Sequence, residues 1–140
     1  AVGDPCEMPS DCQSAGSPYA GLWPTSCMTA GGSTWENGYC IDFCTLPMDY
    51  LSLPALERAD CPEGAVCLGR WNDPSSSVEM PEIGGCFKEC TTDDDCRVAE
   101  GYICRHDLGP FDARMSFENG YCTPQHCATR ACITSFVCGC

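Results

Sequence analysis

Apolar residues along this chain gather in short clusters that follow glycine and end on cysteine. Gly64-Ala65-Val66-Cys67 and Gly101-Tyr102-Ile103-Cys104 each read as a turn leading into a brief strand. Trp35-Glu36-Asn37-Gly38-Tyr39-Cys40 and Phe117-Glu118-Asn119-Gly120-Tyr121-Cys122 are near copies, and Asn-Gly before an aromatic predicts a type I′ hairpin in both. Ile83-Gly84-Gly85-Cys86 is a turn-competent counterpart. One short helix is predicted over Tyr50–Ala59, with Pro54 in its first turn ahead of Ala55-Leu56-Glu57-Arg58. Ser14–Pro24, rich in Ser, Gly and Pro, and Asn72–Pro81, which opens on the turn cluster Asn72-Asp73-Pro74-Ser75-Ser76-Ser77, read as loops. No apolar run reaches the length of a membrane span. The pattern therefore predicts short β-ribbons joined by long loops, with little helix.

The cysteines organise these clusters. Sixteen of the 140 residues are cysteine, and they fall into four successive groups of four. The groups are Cys6, Cys12, Cys27, Cys40; Cys44, Cys61, Cys67, Cys86; Cys90, Cys96, Cys104, Cys122; and Cys127, Cys132, Cys138, Cys140. In the first three the second cysteine follows aspartate (Asp11, Asp60, Asp95), and the fourth closes a glycine-bearing tripeptide. The expected division is 1–43, 44–89 and 90–126 as disulfide units, with 127–140 as a cysteine-rich cap or interaction tail. That tail carries neither Asp-Cys nor Gly-Tyr-Cys, and its segment Ala131–Cys138 is apolar and β-prone. As a cap it closes a repeat array; as an interaction strand it templates pairing with another chain. Within each regular unit, first-to-third and second-to-fourth bonding is favoured, because crossed bridges pin both ends of a small ribbon. Only three residues separate one unit's last cysteine from the next unit's first at the two internal joints, which favours a semi-rigid rod.

Composition narrows the class. Cysteine stands well above the roughly 8–10% that marks a disulfide scaffold. The even count and the absence of Cys-x-x-Cys point to an oxidising compartment, so the chain is expected to be secreted, extracellular or on a cell surface. Ala1 is read as the start of a processed mature chain. Much of the 44% hydrophobic content is cysteine itself, so no large hydrophobic core is expected and covalent staples take its place. The fold class that follows is small and disulfide-rich, built from tandem short β-hairpin units. A net charge of −13 excludes nucleic acid and anionic membranes as partners, because both require a basic face.

Gly3-Asp4-Pro5-Cys6, Cys61-Pro62-Glu63-Gly64-Ala65-Val66-Cys67 and Cys90-Thr91-Thr92-Asp93-Asp94-Asp95-Cys96-Arg97 resemble the cysteine-rich repeats of secreted and lipoprotein-like surface proteins from myxobacteria and related bacteria. The resemblance covers residues 3 to about 124. It implies an extracytoplasmic location and a scaffold role, with no enzymatic activity to carry over. The Cys-x5-Cys opening is also similar to Dickkopf- and colipase-type disulfide modules, although the adjacent cysteine pair common there is missing.

Candidate chemistry is thin. His106 and His126 lie in no nucleophile motif, and Gly-x-Ser-x-Gly, His-Glu-x-x-His and P-loop patterns are absent, so the chain is not expected to be an enzyme. No cofactor is implied. Asp93, Asp94 and Asp95 offer three hard oxygen donors that suit calcium chemically, but not at EF-hand spacing. Trp71, Phe111, Ile133 and Phe136 are the candidate binding residues, as apolar anchors for a protein partner. The reading is an extracellular structural or adhesive protein that contacts a protein partner or copies of itself, as in a fibre or surface layer. The alternative is a secreted inhibitor or toxin-like ligand displaying one loop from a disulfide scaffold.

Overall fold

The computed structural model describes residues 1–12, 26–28, 35–45, 54–68, 83–107 and 116–125. Among the described residues six strands carry the fold: β1 (Ser26–Cys27), β2 (Cys40–Thr45), β3 (Ala65–Leu68), β4 (Ile83–Cys90), β5 (Tyr102–Asp107) and β6 (Ser116–Pro124). They form one antiparallel sheet in the order β1-β2-β4-β6-β5, with β3 also pairing β4. Three 3-10 turns, Pro9–Asp11, Asp93–Asp95 and Val98–Glu100, complete the regular structure among the described residues. This is a small disulfide-rich β fold, with the strands predicted to end at Cys67 and Cys104 present and each continuing past its cysteine.

Strand alternation sorts the side chains. Successive residues of a strand point to opposite faces. In β3, Ala65 and Cys67 join a sulfur-rich cluster with Cys44, Cys61 and Cys86, while Val66 and Leu68 enter the main apolar cluster. In β2, Cys40 and Cys44 lie in sulfur clusters while Ile41 faces the main one. That main cluster draws Trp35, Tyr39 and Ile41 from the first unit, Leu56, Val66, Leu68 and Phe87 from the second, and Tyr102, Phe117 and Tyr121 from the third. The units thus bury apolar surface against one another, which none has enough of to do alone.

The joints between cysteine groups are strand interiors. Residues 41–43 lie within β2 and residues 87–89 within β4, so each strand passes from one disulfide group directly into the next. The first and third units also touch: Tyr39 stacks on Tyr102 with ring centroids 5.6 Å apart, and the Tyr102 hydroxyl donates to Glu36 O at 3.1 Å. The units therefore fold back over a common core, in place of the extended rod suggested by the short joints.

Two local expectations are corrected. Residues 54–59, the described part of the predicted helix over Tyr50–Ala59, are not helical. Their backbone groups are claimed from outside the segment: Cys67 N donates to Glu57 O at 2.8 Å, Glu118 N to Pro54 O at 3.0 Å, and the Asn119 amide takes both Leu56 N and Leu56 O. Ala59 sits at φ 47°, outside the helical region. Residues 54–58 thus form a strap held by β3 and β6.

The two Asn-Gly pairs do not make two-residue hairpins. Asn37 (φ 56°) and Gly38 (φ 67°) are left-handed, but the turn is closed by Gly38 N donating to Trp35 O at 2.9 Å, which leaves Glu36 and Asn37 as its central residues. Of that central pair only Asn37 has positive φ, whereas a type I′ turn needs both. Asn119 and Gly120 lie inside β6, where Gly120 pairs with Cys90. Here glycine serves close approach: a Cβ on Gly120 would stand 2.5 Å from Cys104 Sγ.

Candidate functional site

In each unit an antiparallel pair places the third and fourth cysteines directly opposite one another: Cys27 faces Cys40, Cys67 faces Cys86, and Cys104 faces Cys122. The facing cysteines are not bonded to each other. The bonds run Cys6–Cys27 and Cys12–Cys40, Cys44–Cys67 and Cys61–Cys86, Cys90–Cys104 and Cys96–Cys122. This is the crossed first-to-third, second-to-fourth pairing favoured from the sequence. The two facing strands of a unit are not stapled to each other: their cysteines bond to the unit's first two, which lie outside the strands in the first unit, whereas Cys44 lies in β2 and Cys90 ends β4. The two bridges of a unit pack together with three of their sulfurs within 4.8 Å of one another. The cysteines at 127, 132, 138 and 140 lie outside the described residues.

The aspartate before each second cysteine has one job in all three units. Asp11 Oδ2 accepts from Glu7 N and Met8 N, both at 3.0 Å. Asp95 Oδ2 accepts from Thr91 N at 2.7 Å and Thr92 N at 3.0 Å. Asp60 Oδ2 accepts from Thr45 N at 3.1 Å and Thr45 Oγ1 at 2.9 Å. In every case the carboxylate binds the backbone N–H of the residue just after the unit's first cysteine, closing the Cys…Asp-Cys loop. The fixed position of aspartate was the sequence signal for this latch.

These backbone donors hold the Asp11 and Asp95 carboxyls below the ordinary aspartate range. A depressed folded-state value means a stabilisation that is present above the unfolded pKa of about 3.9 and is lost as pH falls through the folded value. Thermal melts of the oxidised chain are therefore expected to be flat from neutral pH down to about 4 and to fall below it. Replacing Asp11 and Asp95 by Asn should lower the melting temperature at neutral pH and flatten the acid limb. An unchanged acid limb in the double variant would contradict the latch.

The same geometry bears on calcium. Asp95 is committed to the latch, and Asp93 Oδ1 accepts from Cys104 N at 2.8 Å, fastening the acidic turn to β5. The carboxylates of Asp93, Asp94 and Asp95 do not gather into a cluster of three ligand atoms among the described residues. Two of the three thus have structural employment that their residue type alone did not reveal.

The unpredicted side chain at the heart of the fold is Arg97. Its guanidinium lies 4.3 Å from the Tyr102 ring centroid, Nη1 pairs with Glu100 at 2.6 Å, and Nη2 donates to Gly38 O at 2.5 Å. It joins the turn of the first unit to the third by cation–π contact and hydrogen bonding together. Nothing in a lone arginine after cysteine announces this role. Tyr39 completes the seam: its hydroxyl donates to Cys122 O at 3.2 Å and accepts from Lys88 N at 2.9 Å, and burial drives its phenol well above the ordinary tyrosine range.

An open cleft of about 250 Å³ is lined by Pro5, Cys6, Glu7, Asp11 and Asn37. Its polar groups include the latched Asp11 and no histidine or arginine. Asp42, buried in β2, accepts from Phe43 N at Oδ1, and its Oδ2 has no partner among the described residues. Trp71, Phe111, Ile133 and Phe136, the candidate binding residues, lie outside the described residues, as do His126 and both long predicted loops. No helix among the described residues is long and apolar enough to cross a membrane. Comparison with known protein families, curated proteins and solved structures finds no match for this chain.

Proposed function

We propose that the chain is a non-enzymatic extracellular building block, structural or adhesive, that works by contact with copies of itself or with a protein surface. One observation carries the reading: β2 and β4 run without a break from one disulfide group into the next, so covalent staples and sheet form one continuous frame. Such a frame resists deformation and reduction-independent unfolding, which is what a durable extracellular element requires. The polar groups that drew attention in the sequence support it too. The Asp-Cys carboxylates hold loops closed, and the acidic turn is fastened to β5. In this reading the chain is secreted or displayed at a cell surface, with nucleic acid excluded by its charge.

Sedimentation velocity of the oxidised chain from micromolar to millimolar concentration tests the self-associating form. Growth into larger species is the expected result, with negative-stain images showing filaments or layers. A monomer at every concentration would overturn self-assembly and move the weight to the displayed-loop ligand. Cleaving Asn72–Pro81 would then abolish partner binding, which a building block should tolerate.

A further inference from the structure

We propose that Cys90–Cys104 is a thiol-exchange site, opened by a low-molecular-weight thiol with His106 handling the proton. Of the twelve bonded cysteines described, only Cys27 and Cys104 are half-buried; the other ten are buried. Among the described bridges, Cys6–Cys27 and Cys90–Cys104 are therefore the ones within reach of solvent, and both bridges of the second unit are sealed. Of these, only Cys104 has an imidazole beside it among the described residues: His106 Nε2 lies 3.6 Å from Cys104 Sγ. Gly120 creates the space for this contact, since a Cβ there would stand 2.5 Å from Cys104 Sγ and 3.1 Å from His106 Nε2.

The imidazole is set up to accept and hold a proton. Nδ1 lies 3.2 Å from Phe117 O, and with its hydrogen donated there Nε2 keeps its lone pair toward the sulfur. Nε2 is also 3.3 Å from Thr91 O, a carbonyl ready to accept once that nitrogen is protonated. An incoming thiol R–SH gives its proton to Nε2, and its sulfur attacks Cys104 Sγ. The S–S bond breaks with its electron pair leaving on Cys90, which takes the proton back from the imidazolium. The products are a Cys104–S–S–R mixed disulfide and a Cys90 thiol. A second R–SH attacking the sulfur of R releases R–S–S–R and leaves both cysteines reduced, so two thiols are oxidised for each bridge opened. Cys96–Cys122 still ties the third unit, so the bridge opens without releasing β6.

Limited exposure of the oxidised chain to reduced glutathione, quenched by alkylation and mapped by mass spectrometry, tests this. Cys90 and Cys104 should label about tenfold faster than Cys6 and Cys27, and faster still than the second unit's cysteines. His106→Gln should slow Cys90–Cys104 opening severalfold and leave Cys6–Cys27 unchanged. A phosphine reductant needs no deprotonation, so in the unaltered chain its preference for Cys90–Cys104 over Cys6–Cys27 should be clearly smaller than glutathione's. That comparison decides the matter even where His106→Gln does not fold. Opening of Cys6–Cys27 first, or equal preferences with thiol and phosphine, would overturn the proposal.

Discussion

Gly38→Ala is expected to destabilise the oxidised chain by more than about 3 kcal/mol, enough to prevent correct pairing of the first unit. Two independent costs combine at this position. Its φ of 67° is left-handed, and a Cβ would fall 1.9 Å from Cys6 O and 3.0 Å from Cys6 Sγ. The atom in the way is backbone, held by Cys6 N donating to Asn37 O, so it cannot swing aside as a side-chain tip would. Gly64 supplies the control. It has a similar φ of 78° but nothing within 4 Å of a built Cβ, so Gly64→Ala should cost only about 1 kcal/mol. Denaturant melts of the two variants separate backbone strain from collision. Equal losses would mean that the close approach of Gly38 to Cys6 is not what the residue is for.

Asn119→Ala is expected to cost about 2–3 kcal/mol. Asn119 Oδ1 accepts from Leu56 N at 2.7 Å, while Nδ2 donates to Leu56 O and to Glu89 Oε1, both at 2.9 Å. Truncation leaves both backbone groups of a buried core residue without partners, and a buried unsatisfied group costs more than a hydrogen bond contributes. Asn119→Asp is the sharper variant, because it keeps the acceptor but sets a carboxylate against Leu56 O and Glu89. It should lose as much or more at neutral pH and recover part of the loss in acid. Hydrogen exchange should report early opening of residues 54–58 in both variants; unaltered protection there would remove Asn119 from its role as the clamp between the second and third units.

Much of the architecture was legible in the cysteine spacing, because covalent pairing imposes a grammar that survives changes elsewhere. The crossed bonds in three units, and the strands reaching Cys67 and Cys104, follow from patterns confined to one unit. What sequence reasoning missed lies between units. Glu36-Asn37-Gly38-Tyr39 and Glu118-Asn119-Gly120-Tyr121 are the same four residues, yet one forms a turn and the other runs inside a strand whose asparagine grips Leu56. Local propensity cannot separate them, since the second finds its partner 63 residues away. Residues 54–59 fail as a helix for the same reason. Arg97 was invisible because its value depends on Tyr102 and on a carbonyl of the first unit arriving together. Among the candidate site residues, Asp93–Asp95 drew attention through their oxygen donors, and the fold gives Asp95 a latch on Thr91 and Thr92 and Asp93 a bond to Cys104 N, partners that residue type alone does not reveal.

Partial proteolysis of the non-reduced chain with mass-spectrometric assignment of the bridges tests the central claim most directly. The account predicts Cys6–Cys27 with Cys12–Cys40, Cys44–Cys67 with Cys61–Cys86, and Cys90–Cys104 with Cys96–Cys122. The nearest rival pairs the cysteines that face each other across the strands, and peptides carrying Cys27–Cys40, Cys67–Cys86 or Cys104–Cys122 would contradict the interlocked frame.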